Sequence, residues 1–384
     1  MKRSLPGVAG RALLLFLVPL LAACAEEYPQ STINPQSDFA AIIHSLYVSI
    51  FWWTMLILAV VWVALAWVLV KYRRKSENDQ PKQIRGHLGL EIGWTVGPAL
   101  IVVAIVIPTI QAVFATQRPI SEDALLVEVT GHRFWWEFHY PEYGVTTANE
   151  IRLPVDRPVS LRLESADVIH SFWVPVLGGK RDLNPVPAVR EGRDKKYNWL
   201  YFTPEVTGVF MGQCAEFCGE SHALMAKRAI VETEAEFEAW IASWFASEGA
   251  AAPEPPEPAD AEPGDALPEE VAEARPAGQD EDPRIAQGRE LFMNSTCIAC
   301  HAVQGTSAQG AIAPNLTLFG TRRTLASGIM ENNEDNLVRW IIDPQGIKPA
   351  AAMPGVDYPG GNWPATNFSE EEVRAISAYL LSLK

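Results

Sequence analysis

The sequence predicts a membrane-anchored chain of several domains: a two-helix transmembrane hairpin, an all-β domain, a disordered linker and a small all-α domain. Three observations carry this expectation. Two charge-free apolar runs lie near the N-terminus, and an alternating apolar–polar pattern broken by Pro and Gly follows. A tract of Ala, Pro, Glu and Asp then separates that pattern from a C-terminal stretch with helical spacing. At 384 residues the chain is long enough for two or three folded domains. Its formal charge of −15 is unevenly spread, because residues 249–282 hold eleven acids against one Arg and so carry ten of the fifteen net charges. Such a chain does not suit nucleic acid as a partner.

The first element is a targeting signal. Lys2, Arg3 and Arg11 accompany the apolar run Ala12 to Leu21, and L-A-A-C ends at Cys24. This is the layout of a secretory signal peptide over residues 1–23. The four residues Leu21 to Cys24 resemble a bacterial lipoprotein box, which implies a lipidated Cys24 on the outer face of the cytoplasmic membrane. An ordinary signal peptide with an incidental Cys is the alternative. One lipid chain anchors weakly, and residues 24–120 supply stronger anchors. Leu46 to Val70 and Ile92 to Ala115 are both long enough to cross a bilayer, with Pro108 expected to kink the second. Residues 71–91 between them carry six Lys or Arg against three acids, whereas 25–45 carry no Lys or Arg. The positive-inside rule puts that loop in the cytoplasm and both flanks outside.

From residue 121 to 248 the pattern is that of strands. Leu125 to Thr130, Val159 to Glu164, Trp199 to Phe202 and Ala229 to Glu232 alternate between turn residues, which predicts a β-sandwich or Greek-key barrel. Thr233 with Glu236 forms a capping box, opening a helix that shows Phe237, Trp240, Ile241, Trp244 and Phe245 on one face for packing. Within this domain Cys214, Cys218, His222 and Met225 fall inside twelve residues, and His170 lies upstream in D-V-I-H-S. Gly212 and Gly219 favour a loop over a helix here. Two thiolates, two imidazoles and a thioether form a soft donor set suited to copper. Zinc would accept the Cys and His but has no use for the Met. A short disulfide between the two Cys is a third reading outside the cytoplasm.

The pattern H…C-x-E-x-C-x-x-x-H-x-x-M resembles the dinuclear copper site, CuA, of the cytochrome c oxidase subunit II family. The resemblance implies a cupredoxin-like fold in which both Cys sulfurs bridge both coppers. It further implies that His170 and Met225 complete one copper, while His222 and the backbone carbonyl of Glu216 complete the other. The Glu216 carboxylate would face a magnesium shared with subunit I. E-x-x-W-T-x-x-P, formed by Glu91, Trp94, Thr95 and Pro98, is similar to the family segment whose Glu stands at the mouth of a proton path into subunit I. Gly131 to Tyr140, G-H-R-F-W-W-E-F-H-Y, aligns with the segment that carries the family's electron-receiving Trp. Phe134 occupies that position here, followed by Trp135 and Trp136, and a packed core strand accounts for most of these side chains equally well. Asn184 to Arg193 is a second departure: the family tends to read P-G-R there, although Lys180 and Asp182 match.

Residues 249–282 have no periodicity and read as a charge-extended linker spanning roughly 30 Å or more. Beyond it, over residues 283–384, C-I-A-C-H at Cys297, Cys300 and His301 is the attachment motif for c-type haem, with His301 as an axial ligand. A thioredoxin-like redox pair would need a βαβ setting that the pattern lacks. Met353, in A-A-M-P-G, resembles the second axial position of a class I cytochrome c, and Met330 is the other candidate. Ser369 and Glu372 make a capping box for the last helix. Both resemblances together imply the caa type of the oxidase subunit II family, with cytochrome c fused at its end. Such a subunit delivers electrons to an oxygen-reducing centre in subunit I, with coupled proton pumping. Its implied partners are subunit I, subunit III, membrane lipid and an upstream cytochrome or respiratory complex as donor. It would lie in a bacterial cytoplasmic membrane with copper and haem c on the outer face. A CuA-containing nitric oxide reductase subunit is the runner-up, and a membrane-anchored copper carrier is a non-enzymatic alternative.

Overall fold

Ser37 starts the first membrane helix, and it does so inside the extramembrane domain. In the computed structural model, which describes residues 28–74, 76, 85–117, 121, 123–185, 197–246 and 282–384, helix α1 runs Asp38–Lys71 and α2 runs Leu88–Ala115. The signal peptide with Cys24, most of the basic loop, the P-G-R departure from residue 186 onward and the acidic tract up to residue 281 lie outside the described residues. Both helices begin earlier than the apolar runs because their caps, Ser37 and His87, lie upstream of the apolar residues. Helix α2 continues through Pro98 and Pro108 without a break in its assignment.

The Ser37 hydroxyl accepts the Ala40 N–H at 3.1 Å and donates to the Leu177 carbonyl at 2.6 Å. A cap of this kind contributes about 1 kcal/mol to its helix. Asp38 accepts the Thr203 N–H at 2.7 Å, and the buried Phe39 packs against Gly178 and Gly179. One end of the hairpin is thus keyed into the β domain.

That domain is a sandwich of two five-stranded sheets. One has the order β3-β2-β1-β5-β8, built from β1 (Leu125–His132), β2 (Trp135–Tyr140), β3 (Val145–Ala148), β5 (Val159–Ser165) and β8 (Asn198–Phe202). The other has the order β4-β10-β9-β6-β7, with β4 (Glu150–Pro154), β6 (His170–Trp173), β7 (Arg181–Leu183), β9 (Gly208–Cys214) and β10 (Ala226–Glu232). Alternation in β1 and β5 turns Val127, Val129, Leu161 and Leu163 into the core between the sheets. β1 pairs with β5 in parallel and with β2 antiparallel, as a cupredoxin-like topology requires. Helix α3 (Glu234–Ser243) begins at the expected Thr233–Glu236 capping box and buries Phe237, Trp240 and Ile241.

The segment expected to be a loop around Gly212 is different. Gly212 lies within β9, and Cys214 is that strand's last residue. A Cβ at Gly212 would sit 2.6 Å from the Trp173 carbonyl, so the glycine serves close strand approach and not a turn. Gly219, at φ +134°, is the residue that turns the chain.

The C-terminal domain is helical. Helices α4 (Pro283–Met293) and α8 (Glu370–Ser382) cross at Gly288, where a Cβ would meet the Ala375 carbonyl at 1.9 Å. Between them come α5 (Cys297–Cys300), the two-residue strands β11 (Thr324–Leu325) and β12 (Met330–Glu331), α6 (Glu334–Ile342) and α7 (Pro344–Ile347). The Ser369–Glu372 capping box is formed. This domain sits against the sandwich at the end that carries Cys214.

Candidate functional site

The five expected metal donors come from three places in the sandwich and meet at one end of it. β6 delivers His170, the end of β9 delivers Cys214, and the turn that follows delivers Cys218, His222 and Met225. Donor atoms of His170, Cys214 and Cys218 lie within 4.8 Å of one another. The two sulfurs are 3.9 Å apart, and Cys214 Sγ is 3.9 Å from His170 Nδ1 and 3.2 Å from the Glu216 carbonyl oxygen. Cys218 Sγ is 3.7 Å from His222 Nδ1 and 3.8 Å from Met225 Sδ. Each sulfur therefore has its own nitrogen neighbour, and the pair lies between them. The Glu216 side chain points to solvent.

The donor chemistry fits a soft metal. His170 gives its Nε2 proton to Asp167 at 2.8 Å, which leaves the Nδ1 lone pair on the side facing Cys214. Burial alone would raise Asp167, but hydrogen bonds from His170, Val168 N–H and Arg133 N–H bring it down to about 2. Asp167 is thus a fixed anion behind the ligand. A hydrogen bond from Cys218 lowers Cys214 despite burial, and the same bond together with burial raises Cys218, so Cys214 is the sulfur that gives up its proton first. A metal that removes the second proton completes the thiolate pair. Gly131 is also required here, since a Cβ would sit 2.8 Å from the His170 ring.

Beneath these donors lie residues that sequence reading did not single out as site residues. Trp136 is fully buried, edge-on to His170, with its indole N–H 3.4 Å from the Met225 carbonyl. Lys227 is also fully buried, donating to the Gln213 carbonyl at 2.9 Å with its amine 3.8 Å from the Trp136 ring centroid. Burial drives its pKa well below the usual lysine value. Nothing in the local pattern marks Lys227. Asp167 was visible in D-V-I-H-S but carried no signal until its contact was seen.

In the helical domain, a large apolar cavity is lined by Cys297, Cys300, His301 and Met353. His301 donates from Nδ1 to the Pro314 carbonyl at 2.8 Å, so Nε2 is the nitrogen left to face the cavity. Burial lowers its pKa, keeping the imidazole neutral as a ligand must be. Gly360 has no room for a Cβ, which would fall 2.3 Å from the Met353 carbonyl carbon. Met330 is on β12, and the cavity wall does not include it. The donors and the apolar lining therefore fit a covalently attached haem, which Cys297, Cys300, His301 and Met353 would hold.

The same cavity reaches the copper-type domain. Arg133, Phe134 and Trp135 form part of its wall. Phe134 is buried, with its ring 3.1 Å from the Cβ position of Gly219 in the metal turn, and Trp135 stacks on His132 at 4.1 Å. Glu91 is far from these groups, in the first turn of α2. Its carboxylate accepts the His87 N–H at 3.3 Å, which gives it a capping contact at the helix start.

Comparison with known proteins agrees with this architecture. Residues 144–233 match the family model described as cytochrome C oxidase subunit II, periplasmic domain, and residues 30–112 match its transmembrane domain. Residues 285–384 match the cytochrome c model. Cytochrome c oxidase subunit 2 of Alkalihalophilus pseudofirmus is 37% identical over 377 residues, covering 97% of this chain and 96% of the relative. The corresponding protein of Bacillus subtilis is 34% identical, covering 97% of each. The solved periplasmic domain of cytochrome oxidase subunit II from Bradyrhizobium japonicum is 30% identical, with a TM-score of 0.28 over 32% of this chain and 94% of that one. With full-length relatives at this identity and a cytochrome c domain at its C-terminal end, the chain belongs to the cytochrome c oxidase subunit II family, in the caa-type form that carries fused cytochrome c.

Proposed function

We propose that this subunit takes electrons onto a haem c held by Cys297, Cys300, His301 and Met353 and delivers them through a dinuclear CuA centre held by His170, Cys214, Glu216, Cys218, His222 and Met225. As a family member the chain is a membrane-anchored subunit of a haem–copper oxidase with two spans. Bound in these two places, haem c and a copper pair would supply one-electron transfer, onward to the oxygen-reducing centre of subunit I. The chain's own residues hold each donor in place. Asp167 fixes the His170 tautomer, Pro314 fixes that of His301, and the sandwich keeps the thiolates at one spacing.

One observation carries this reading. The wall of the haem cavity is continued by Phe134, and the Phe134 ring packs on the turn that holds Cys218. Phe134 thus touches both the haem cavity and the metal turn, and Trp135 lies beside it in the cavity wall. Because the haem domain is on the same chain, its effective concentration at this surface is on the order of millimolar. That arrangement accommodates Phe134 where the family carries a Trp for receiving electrons from a separate cytochrome. The donor to the haem domain is an outside cytochrome or respiratory complex.

Several finer assignments belong to the same proposal. Cys24 carries the lipid, and both redox domains face the outside of a bacterial cytoplasmic membrane. Supporting this, the two spans have their domain-side ends at Ser37 and Ala115, with the basic residues Lys71, Arg73, Arg74 and Arg85 at the other end. Glu91 starts a proton path into subunit I, and the exposed Glu216 carboxylate faces a magnesium there. Proton pumping is coupled to the transfer.

Flash reduction of haem c in the intact oxidase tests the path. Copper should become reduced as haem c is reoxidised, before the haem groups of subunit I. Direct reoxidation of haem c by subunit I, with copper bypassed, would overturn the reading.

A further inference from the structure

We propose that Glu150 is the latch by which the copper domain fixes the haem domain in one electron-transfer pose, with the Phe134 carbonyl as a second point of attachment. The inference rests on the reading that electrons cross between these domains.

Glu150 opens β4 directly after Asn149, whose φ of +64° turns the chain at the sandwich edge. The residue is only 3% exposed. Its carboxylate accepts the Arg323 N–H at 3.0 and 3.1 Å, the Thr324 N–H at 2.8 Å and the Thr324 hydroxyl at 2.7 Å. All of these donors belong to the haem domain. Among the described residues its own domain contributes no hydrogen bond to the carboxylate, although the Arg228 guanidinium is a favourable charge nearby. Arg228 itself crosses the interface to the Gly328 carbonyl at 2.8 Å. On the haem side the half-buried Arg322 is a second favourable charge.

A carboxylate is rarely buried unless it is paired and hydrogen-bonded, and here every bond comes from the docked partner. The group therefore has no reason to be placed at this edge for the sake of the sandwich. It recognises two consecutive backbone N–H groups, which fixes the register of the β11 strand. On separation water replaces those donors, so the latch is reversible.

The second point lies further along the same haem-domain segment, at Ser327. The Phe134 carbonyl accepts from Ser327 Oγ at 2.7 Å and from Lys348 Nζ, both of the haem domain, and Lys348 also reaches the Ala326 carbonyl at 3.3 Å. Glu150 and the Phe134 carbonyl thus bracket the stretch that lines the haem cavity. Two anchors define an orientation where one would leave a pivot. Electron transfer falls steeply with distance, so a fixed orientation is what the rate depends on. Glu150 and Lys348 act as positioning residues: neither is a donor to metal or haem, and Lys348 forms part of the haem cavity wall.

The test uses the full-length chain in the assembled oxidase, loaded with copper and haem. Glu150→Ala and Glu150→Gln should lower hydrogen-exchange protection of the Arg323 and Thr324 amides by about 10-fold or more, the size expected for charge-assisted hydrogen bonds. Haem-to-copper transfer after flash reduction should slow or split into two phases in the same variants. Haem and copper spectra and midpoint potentials should stay unchanged, and Glu150→Asp should restore part of the protection. Thr324→Val, altered on the opposite face, should give a smaller loss in the same direction. Unchanged amide protection in Glu150→Ala, with intact spectra, would overturn the latch. The exchange readout does not depend on the electron path, so absence of haem-to-copper transfer in the unaltered protein would count against the proposed function alone.

Discussion

The two redox sites of this chain are built in opposite ways. The copper donors sit on a scaffold that exists for other reasons. Cys214 ends a paired strand, His170 lies in another, and Asp167 holds the imidazole from behind. The sandwich core of Val127, Leu161, Phe138 and their neighbours takes in Cys214, Cys218 and Met225 at one end, but most of it is built by residues that donate to no metal. In the helical domain the cavity that takes haem is walled by core residues themselves, among them Phe292, Leu337, Ile341, Ile376 and Leu380. Those side chains have apolar faces turned inward to a cavity as well as to each other. In one domain the fold positions the ligands, and in the other the ligand is a large part of what the fold packs around.

The largest expected effect comes from denying the helical domain its haem. Cys297→Ser combined with Cys300→Ser should abolish covalent haem on a denaturing gel. It should also remove cooperative melting of residues 283–384 in calorimetry, while the sandwich transition stays in place. A haem-free domain that still melts cooperatively would erase the contrast. A smaller effect is expected at the copper site, where Asp167→Asn should weaken copper binding 10- to 100-fold, as loss of a ligand-orienting partner does. Chelator competition would measure it, with little change in the melting of the sandwich. A drop in melting temperature as large as the loss of metal affinity would mean that Asp167 serves the fold.

The third effect concerns the surface between the two domains. Burial in the docked state takes Lys348 from the ordinary lysine value of 10.5 down to about 7, with the Cys218 sulfur opposing that shift. Between those values the separated domains hold more protons than the docked ones. Docking should therefore strengthen as pH rises from about 7 to about 10.5, with no slope from this group below 7. Interdomain distance measurements over that range would show it, and Lys348→Met should flatten the curve. A docked fraction that stays flat over that range in the unaltered protein would place the lysine in water.

Much of this was legible beforehand where a local pattern has a local cause. The capping boxes at Thr233 and Ser369 formed because each needs only four consecutive residues. The alternation in Leu125–Thr130 gave β1, and the apolar runs lie within α1 and α2. Gly212 was misplaced because a glycine for close strand approach and a glycine for a turn look alike in sequence. The helices start several residues before the apolar runs because their caps precede the apolar stretch. At the site, all five donor side chains came from spacing and resemblance, but the groups that orient and bracket them did not. Glu150 and Arg323 are separated by 173 positions, a contact no local pattern encodes.

By itself the sequence determined which atoms are available: two thiols, two imidazoles and a thioether in one domain, and a haem-attachment segment with a downstream Met in the other. Residue type and short-range spacing set that inventory, because they fix donor chemistry before any folding. Only the tertiary structure decided which imidazole nitrogen faces the sulfurs, which methionine lines the haem cavity, and that Phe134 joins the two domains. Those outcomes depend on contacts between segments far apart in the chain, where packing and the pairing of buried polar groups select one arrangement.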